Sequence, residues 1–370
     1  MRIKKIIVLI FVLAGCRDKY DLPLRQTDVS LLVVEGVLNA GQEPTTITLS
    51  RTLKMSDATA FKPVLGARLT VEDKNGGIFT LSETGNGNYT SRQLPLAVNQ
   101  EYRLRIQTSD HKEYLSDYVV AEKTPDIDSI TWKKENDKAI VYANTHDVNN
   151  KTHYYKWDYS ETWEIRSFYY AEYRWVSGST IVPSPGYHSV CWKYAQSKNL
   201  LLGTSIQLQS DVISEAPLLE IEPFSEKLSV RYSILVRQQS LTKQAYEYLQ
   251  LMKKNTESLG SIFDAQPSEL KGNIKCLTNP DEGVIGFLTA SSFSEKRLFI
   301  TAQEAGWRFP QDCPPITVKN NPDSIKMWVP GYLPFSAEGD FGVIVSYDMA
   351  FAGCVDCVIR GGDLNRPSYW

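Results

Sequence analysis

The sequence predicts a mainly β protein in which an N-terminal β-sandwich precedes a larger β-rich domain with one amphipathic helix. Short segments rich in β-branched residues recur about every ten residues in the first third of the chain. Apolar and polar residues alternate cleanly at 227–239, and one stretch after it has helical spacing. A chain of 370 residues with 42% hydrophobic residues is long and apolar enough for two domains.

Residues 29–124 are predicted to form the sandwich. The segments VSLLVVEGVLN, TTITLS and ARLTVEDK are predicted strands, and the NGG before IFTLSE is a hairpin signal because these residues tolerate positive φ. The segments NGNYTSR, EYRLRIQTS and KEYLSDYVV complete about seven strands. That number and spacing are typical of an immunoglobulin-like or transthyretin-like sandwich. Pro125 interrupts strand pairing and marks the boundary.

Residues 125–370 are predicted to form the second, β-rich domain. Its strands include KLSVRYSILVRQQ and the aromatic segment YYKWDYSETWEIRSFYYAEYRW. One helix is predicted near residues 241–258, between an N-cap signal in SLT and a stop at Gly260. We expect its apolar stripe to pack on a sheet rather than to bind a partner. The stripe contains Ala245, Leu249 and Met252.

The N-terminus has the features of a secretory signal peptide at residues 1–15. Basic residues, a short apolar run and small residues precede a cysteine. The apolar run is about half of the roughly 20 residues that a membrane-spanning helix needs. LAGC resembles the lipobox of bacterial lipoproteins, which predicts lipidation at Cys16 and a lipidated tether over residues 16–28. Acyl chains there would hold the protein at a membrane. The alternative is an ordinary signal peptide that ends near a cysteine.

The charge balance argues against nucleic acid as a partner. Residues 1–15 carry three of the 40 basic residues and none of the 43 acidic ones, so the rest of the chain has a formal charge of −6. A mildly acidic chain with mixed charges offers no electrostatic footprint for nucleic acid.

Five cysteines follow the predicted lipidation site, and an exported chain favours disulfides between them. The odd number leaves at least one thiol unpaired or paired outside the chain, and spacing does not give the connectivity. The CVDC motif would also suit a redox dithiol or half a zinc site, but no βαβ pattern surrounds it and no second CxxC occurs. The candidate disulfide cysteines are Cys191, Cys276, Cys313, Cys354 and Cys357.

No familiar catalytic motif occurs in the sequence. HExxH, G-x-S-x-G, P-loop and GxGxxG patterns are missing, so no catalytic residue, metal ligand or cofactor is predicted. The stretch THDVNNKTH has oxygen donors suited to calcium, but its spacing matches no known loop, and a solvated hairpin tip is the preferred interpretation.

A cluster of aromatic residues around VSGSTIVPSPGYHS is the candidate binding surface. Tyr and Trp on loops make rigid contact area for sugars, peptides or protein partners. The alternative is that these side chains pack the second domain. The candidate contact residues are Tyr169, Tyr170, Tyr173, Trp175 and Tyr187.

Four longer segments and the lipobox carry a family resemblance. The segments are LVVEGVLN, SLTKQAYEYLQLMKK, GSIFDAQPSELKGNIKCLTNPDEGVIGFLTAS and CVDCVIRGGDLNRPSYW. With them the chain resembles the DUF4249 lipoproteins of the Bacteroidetes over essentially the whole mature sequence. The resemblance implies an outer-membrane lipoprotein, often encoded beside a TonB-dependent transporter, and it supplies no catalytic residues. Acidic residues after the lipidated cysteine are associated with surface export, and here they alternate with basic ones in RDKYD.

The expected function is non-enzymatic. We expect a lipid-anchored outer-membrane protein, facing the cell surface, that captures a ligand for a TonB-dependent transporter or covers its pore. The alternative is an adhesive or structural module of the cell surface. A hydrolase, the third hypothesis, requires two carboxylates facing each other across a cleft.

Overall fold

The computed structural model describes residues 30–53, 61–257 and 270–370. The predicted signal peptide 1–15, the lipidation site Cys16 and the tether 16–28 lie outside the described residues. Within the three described ranges, no helix has the length and apolar character needed to cross a membrane.

The described residues form mostly strands. The N-terminal part holds β1 (Leu32–Asn39), β2 (Thr45–Arg51), β3 (Lys62–Pro63), β4 (Arg68–Asp73), β5 (Ile78–Gly85), β6 (Asn88–Ser91), β7 (Glu101–Gln107), β8 (Glu113–Ser116) and β9 (Val119–Glu122). The middle part holds β10 (Ile127–Glu135), β11 (Lys138–His146), β12 (Tyr154–Arg166), β13 (Tyr173–Ser177), β14 (Thr180–Pro183), β15 (Val190–Gln196), β16 (Leu201–Thr204), β17 (Val212–Ile221), a 3-10 turn (Glu226–Leu228), β18 (Arg231–Ser240) and helix α1 (Lys243–Glu257).

The last described range, from residue 270 onward, contains both short strands and short helices. They are β19 (Ile274–Cys276), β20 (Val284–Ile285), β21 (Thr289–Ser291), β22 (Phe293–Thr301), α2 (Ala302–Ala305), β23 (Ile316–Lys319), α3 (Pro322–Trp328), β24 (Tyr332–Asp340), β25 (Val343–Phe351) and α4 (Ala352–Val355).

The N-terminal strands and three returning strands form one sheet that closes on itself. The closed, barrel-like path runs β9-β21-β1-β2-β6-β5-β4-β7, because β7 pairs with β9 as well as with β4. β21 lies between β1 and β9 and is parallel to both, with Val37 opposite Thr289 and Ala290 opposite Ala121. β19 pairs with β8, β20 with β1 and β3 with β2. Because the sheet closes, backbone N–H and C=O groups that would lie at an open edge pair with a neighbouring strand.

This architecture agrees with the predicted class and does not confirm the predicted type of sandwich. The mainly β prediction is confirmed. The predicted sandwich ends at residue 124, whereas the sheet also takes in residues 274–291, and its closed order does not establish an immunoglobulin-like or transthyretin-like sandwich. The physical reason is that strands of two or three residues are too short to show an alternating pattern.

Aliphatic side chains with no solvent exposure form the core of this sheet. Each buried aliphatic side chain of this size stabilises the fold by about 1.5–3 kcal/mol relative to exposure. They include Leu32, Leu38, Ile47, Leu49, Leu69 and Ile106.

Two antiparallel sheets share a second hydrophobic core. One has the order β10-β11-β17; the other has the order β15-β12-β18-β22, with β16 beside β12. Trp157 and Tyr232 are almost fully buried between them, and the Trp157 indole donates a hydrogen bond to Gln238 Oε1 at 2.8 Å. Because β22 follows β21 directly, the chain passes from the middle part to the N-terminal sheet and back again.

Helix α1 packs between these parts, in agreement with the expectation for residues 241–258. The Thr242 hydroxyl accepts a hydrogen bond from the Ala245 N–H at 3.2 Å and caps the first turn. Tyr248 is buried, and its hydroxyl accepts from the Gly286 N–H at 3.0 Å. The apolar stripe of the helix thus faces the protein interior.

The C-terminal part adds a three-stranded sheet, β23-β25-β24, and the separate β13–β14 hairpin. Tyr173 and Ile181 of the hairpin pack against a small core that contains Val318, Tyr347 and Met349 of the sheet. This contact places the hairpin against the C-terminal residues and creates the cavity described below.

A nearly buried carboxylate holds the returning segment against the N-terminal sheet. Glu282 has a side chain 8% exposed and accepts hydrogen bonds from Lys112 (2.6 Å), the Tyr114 hydroxyl (2.6 Å) and Arg51 (3.2 Å). Burial by itself raises the pKa of Glu282, but the three hydrogen bonds outweigh burial, so the pKa lies below its ordinary value of 4.5. The residue is therefore a carboxylate at neutral pH.

We predict that Glu282→Gln lowers the free energy of unfolding by about 2 kcal/mol, because it leaves partly buried cations without their counter-charge. Asp281→Asn, at the exposed neighbouring position, is the matched control and should change stability by less than about 0.5 kcal/mol. Urea unfolding at pH 7 measures both. Equal effects of the two substitutions would contradict the proposed role of Glu282.

The stability difference between the unmodified chain and Glu282→Gln should also depend on pH. A carboxyl whose pKa is depressed by folding contributes stability above its unfolded pKa, near 4.5, and loses that contribution as the pH falls. The stability difference between the unmodified chain and Glu282→Gln should therefore be constant from pH 7 to about pH 5 and shrink below 4.5. A difference that grows on acidification would contradict the depressed pKa.

Candidate functional site

Two disulfide bonds converge on the C-terminal CVDC motif. Cys357 is bonded to Cys191 across 166 residues, and Cys354 to Cys313 across 41 residues. Both cysteines of the motif are therefore bonded to distant partners. The redox and zinc alternatives for this motif have no free sulfur to use.

Cys276 is the unpaired thiol that the odd number of cysteines requires, and its identity could not be predicted from the sequence. It is a free, buried thiol in β19 and belongs to the core of the N-terminal sheet. The four bonded cysteines lie in two other hydrophobic clusters, neither of which includes residues of the N-terminal sheet. The fold separates Cys276 from them, which sequence spacing does not reveal.

Asp356, between the two bonded cysteines, is buried and has fixed partners. One carboxylate oxygen accepts from the Val358 N–H at 2.8 Å, and the other lies 2.9 Å from His188 Nδ1. The His188 carbonyl in turn accepts from the Cys357 N–H at 3.0 Å. The loop after β14 is thus attached to the CVDC turn by both side-chain and backbone hydrogen bonds.

A cavity of about 310 Å³ lies between the hairpin and this turn. Its volume is at the lower end of the range for small-molecule sites, which suits a ligand of about one ring. On the hairpin side the cavity is lined by Tyr173, Arg174, Trp175, Val176 and the following Tyr187. The opposite side consists of Pro330, Leu333, Pro334, Val355, Asp356 and Ile359.

The hairpin holds its aromatic side chains in defined orientations. A register irregularity between Trp175 and Ser177 interrupts the regular pairing of β13 with β14. Gly178 in the turn has φ of 56°, and its carbonyl accepts a hydrogen bond from Trp175 Nε1 at 3.1 Å. This bond occupies the indole N–H and leaves the ring faces of Trp175 for packing or contact.

Three of the five aromatic residues predicted as contacts line the cavity, namely Tyr173, Trp175 and Tyr187. Tyr169 has a packing role, because its ring stacks on Phe335 with centroids 3.9 Å apart and its hydroxyl donates to the Cys313 carbonyl at 2.8 Å. Tyr170 is 63% exposed and is not among the lining residues. The structure therefore brings part of the predicted set together and separates two members from it.

Arg174 is the lining residue with the largest chemical consequence that sequence reasoning missed. Its guanidinium carbon lies 5.4 Å from the centroid of the Tyr187 ring, within cation–π range. In the described ranges it forms no ion pair. The sequence feature that could have identified this residue is its position between Tyr173 and Trp175, two of the predicted contact residues. The opposite wall, from Pro330 to Ile359, had no signal because these residues are far from the hairpin in the sequence and meet it only through tertiary packing.

The THDVNNKTH stretch forms a loop whose carboxylates already have protein partners. Asp147 accepts hydrogen bonds from the N–H groups of Asn149, Lys151 and Thr152 at 2.9–3.0 Å. Nearby Asp211 is buried and accepts from the hydroxyls of Tyr155 and Ser205. Over the part of the chain that the structure describes, no group of three or more acidic, His or Cys side chains is arranged to hold a metal ion.

One family comparison matches most of the chain. The model of a family described as "Domain of unknown function (DUF4249)" matches residues 17–297. The hairpin side of the cavity lies inside the matched residues, and the side from Pro330 to Ile359 lies outside them. No curated protein matches the chain.

Two solved structures show weak likenesses. A putative carbohydrate binding protein from Bacteroides uniformis is 11% identical, with 58% of this chain and 91% of that chain covered and a TM-score of 0.16. A two-domain fibronectin type III segment of chicken tenascin is 12% identical, with 56% and 90% covered and a TM-score of 0.15. TM-scores this low bear on neither the fold nor the function of the chain.

The disulfide assignment gives a direct prediction. The chain from Arg17 onward, unfolded in guanidinium without reductant, should expose one thiol, and the same chain after reduction should expose five. Cys276→Ser should abolish the single thiol of the unreduced protein. Titration with a thiol reagent measures these numbers. Three or five thiols before reduction would contradict the assignment.

Proposed function

The chain belongs to the DUF4249 family, and from this premise we propose that it is a non-enzymatic outer-membrane lipoprotein. It is anchored through Cys16, faces the cell surface and captures a ligand for a TonB-dependent transporter. The observation that carries the proposal is the ring-sized cavity between the β13–β14 hairpin and the CVDC turn, whose two cysteines are bonded to Cys191 and Cys313.

The cavity supports binding because its walls are rigid before a ligand arrives. Cys191–Cys357 attaches β15 to the CVDC turn, and the His188–Asp356 contact fixes the loop that carries Tyr187. A preformed site avoids part of the entropy cost of ordering side chains on binding. Such walls suit reversible capture of a ligand.

The same cavity supports a function without catalysis. Asp356 is the one carboxylate among its lining residues, and both of its oxygens already have protein partners. Glycoside hydrolysis commonly requires two carboxylates on opposite sides of the scissile bond. The described lining therefore favours binding over the hydrolase hypothesis.

A protein partner at this end of the molecule is supported by exposed apolar side chains at the cavity. Val176 and Ile359 line it and are 45% and 54% exposed. Phe351, the last residue of β25, pairs with Tyr332 of β24 and is also largely exposed. Exposed apolar groups that cluster near a site are a feature of protein interaction surfaces. A transporter seated here would receive the ligand directly.

Membrane attachment is predicted to depend on one side chain. In the native host, the full-length chain should sediment with outer membranes, and Cys16→Ser should move it to the soluble fraction, because acyl chains supply the attachment. Fractionation followed by immunoblotting measures this. Cys276→Ser, which leaves the predicted lipobox intact, is the matched control. A Cys16→Ser protein that still sediments with membranes would contradict the anchor.

Association with a transporter is the second prediction. A tagged chain purified from detergent-solubilised outer membranes should recover a TonB-dependent transporter, identified by mass spectrometry. Purification of the Cys16→Ser protein under the same conditions controls for binding after lysis, and we expect recovery to fall. If the membrane-anchored chain is recovered without any transporter, the accessory function is wrong.

A further inference from the structure

We propose that the cavity between the β13–β14 hairpin and the CVDC turn binds a sugar ring that carries a carboxylate, a hexuronic acid. This assignment deepens the proposed capture function and rests on it. It is carried by three polar groups without protein partners, which lie on the hairpin side of one ring-sized cavity.

The first of these groups is the guanidinium of Arg174. It is half-buried and stacks over Tyr187, while no carboxylate of the described residues pairs with it. The guanidinium presents a planar set of N–H donors that matches the two oxygens of a carboxylate. An uncompensated arginine in the wall of a cavity therefore selects a ligand with an anionic group.

The second set of groups consists of the hydroxyls of Tyr173 and Tyr187. Neither hydroxyl forms a hydrogen bond with another residue in the described ranges, whereas the hydroxyl of the packed Tyr169 does. A phenol hydroxyl both donates and accepts, and sugar hydroxyls do the same. The wall thus offers one cation and two hydroxyls to a ligand that carries one carboxylate and several hydroxyls.

The remaining lining is mostly apolar, and Asp356, its one carboxylate, already has a partner for each oxygen. Trp175 and Tyr187 lie on one side, and Pro330 and Pro334 on the other. The C–H faces of a pyranose ring pack on aromatic side chains, which combine an apolar face with a polar edge. The cavity of about 310 Å³ has room for one such ring rather than for an extended chain.

The test compares two sugars that differ at one carbon. D-galacturonate carries a carboxylate where D-galactose carries a hydroxymethyl group, and calorimetry on the full-length protein in detergent measures the Kd of each. We expect D-galacturonate to bind at least about tenfold more tightly than D-galactose, because only the acid makes a charged hydrogen bond with Arg174. Equal affinity for the two sugars would overturn the proposal without the use of any variant.

Variants assign the preference to the arginine. Arg174→Gln should weaken D-galacturonate binding at least about tenfold and leave D-galactose binding unchanged, and Arg174→Lys should lose part of the preference. Arg92→Gln, at an exposed site in the N-terminal part, is the matched control and should behave like the unmodified chain. Unchanged D-galacturonate binding by a folded Arg174→Gln protein would overturn the assignment.

Two further probes identify the class of molecule that supplies the carboxylate. Trialanine offers a carboxylate on a peptide, and its binding in place of D-galacturonate would overturn the sugar assignment. Trigalacturonate that binds more tightly than the monomer would support an acidic polysaccharide as the source, and equal binding would support the free sugar. If no probe binds, the uronate assignment is wrong, while recovery of the transporter still decides the proposed accessory function.

Discussion

The covalent closure of the CVDC turn is the constraint on which the candidate site depends. The hydrophobic clusters that contain the disulfides are small, and one of them consists of Ile165 with the Cys191–Cys357 pair and Trp163. Clusters of this size provide limited stabilisation, and exported proteins commonly add disulfides in such places. Each bond also restricts the unfolded chain, and a disulfide that closes a long loop does so most. The two bonds attach the CVDC turn to β15 and to the segment that contains Cys313, and the His188–Asp356 contact links this turn to the loop that follows the hairpin.

A second constraint ties the halves of the molecule together. β21 pairs with β1 and β9 in the N-terminal sheet, and β22 pairs with β18 in the next one. Only Ser292 separates β21 from β22, so the two sheets share a short, continuous connection. In the segment before β21, Glu282 accepts a hydrogen bond from Tyr114 of β8, and the Gly286 N–H donates one to Tyr248 of α1.

The sequence was informative where the signal is local. Strand alternation, the N-cap at Thr242 and the concentration of aromatic residues around Trp175 each depend on a few neighbouring residues, and the structure contains the corresponding elements. The family resemblance is confirmed by the match to residues 17–297. The alternating pattern predicted a strand over residues 227–239, which is too long at its start. Leu228 lies in a 3-10 turn, and β18 begins at Arg231.

The rest depends on contacts between distant residues. β19 to β21 are too short to show periodicity, and their partners lie more than 150 residues away in the chain. Disulfide connectivity decides that Cys276 stays free and that Asp356 reaches His188, and spacing alone does not determine connectivity. The importance of Arg174 lies in its lack of a carboxylate partner, which is a property of the folded surroundings and not of the residue.

The central claim is that this disulfide-held cavity is a ligand site, and a crystal structure of the protein soaked with D-galacturonate tests it most directly. We expect electron density for the sugar between Trp175 and Pro334, with its carboxylate in hydrogen-bonding distance of the Arg174 guanidinium. Clear density for the sugar on another surface, or an empty cavity at saturating sugar, would contradict it.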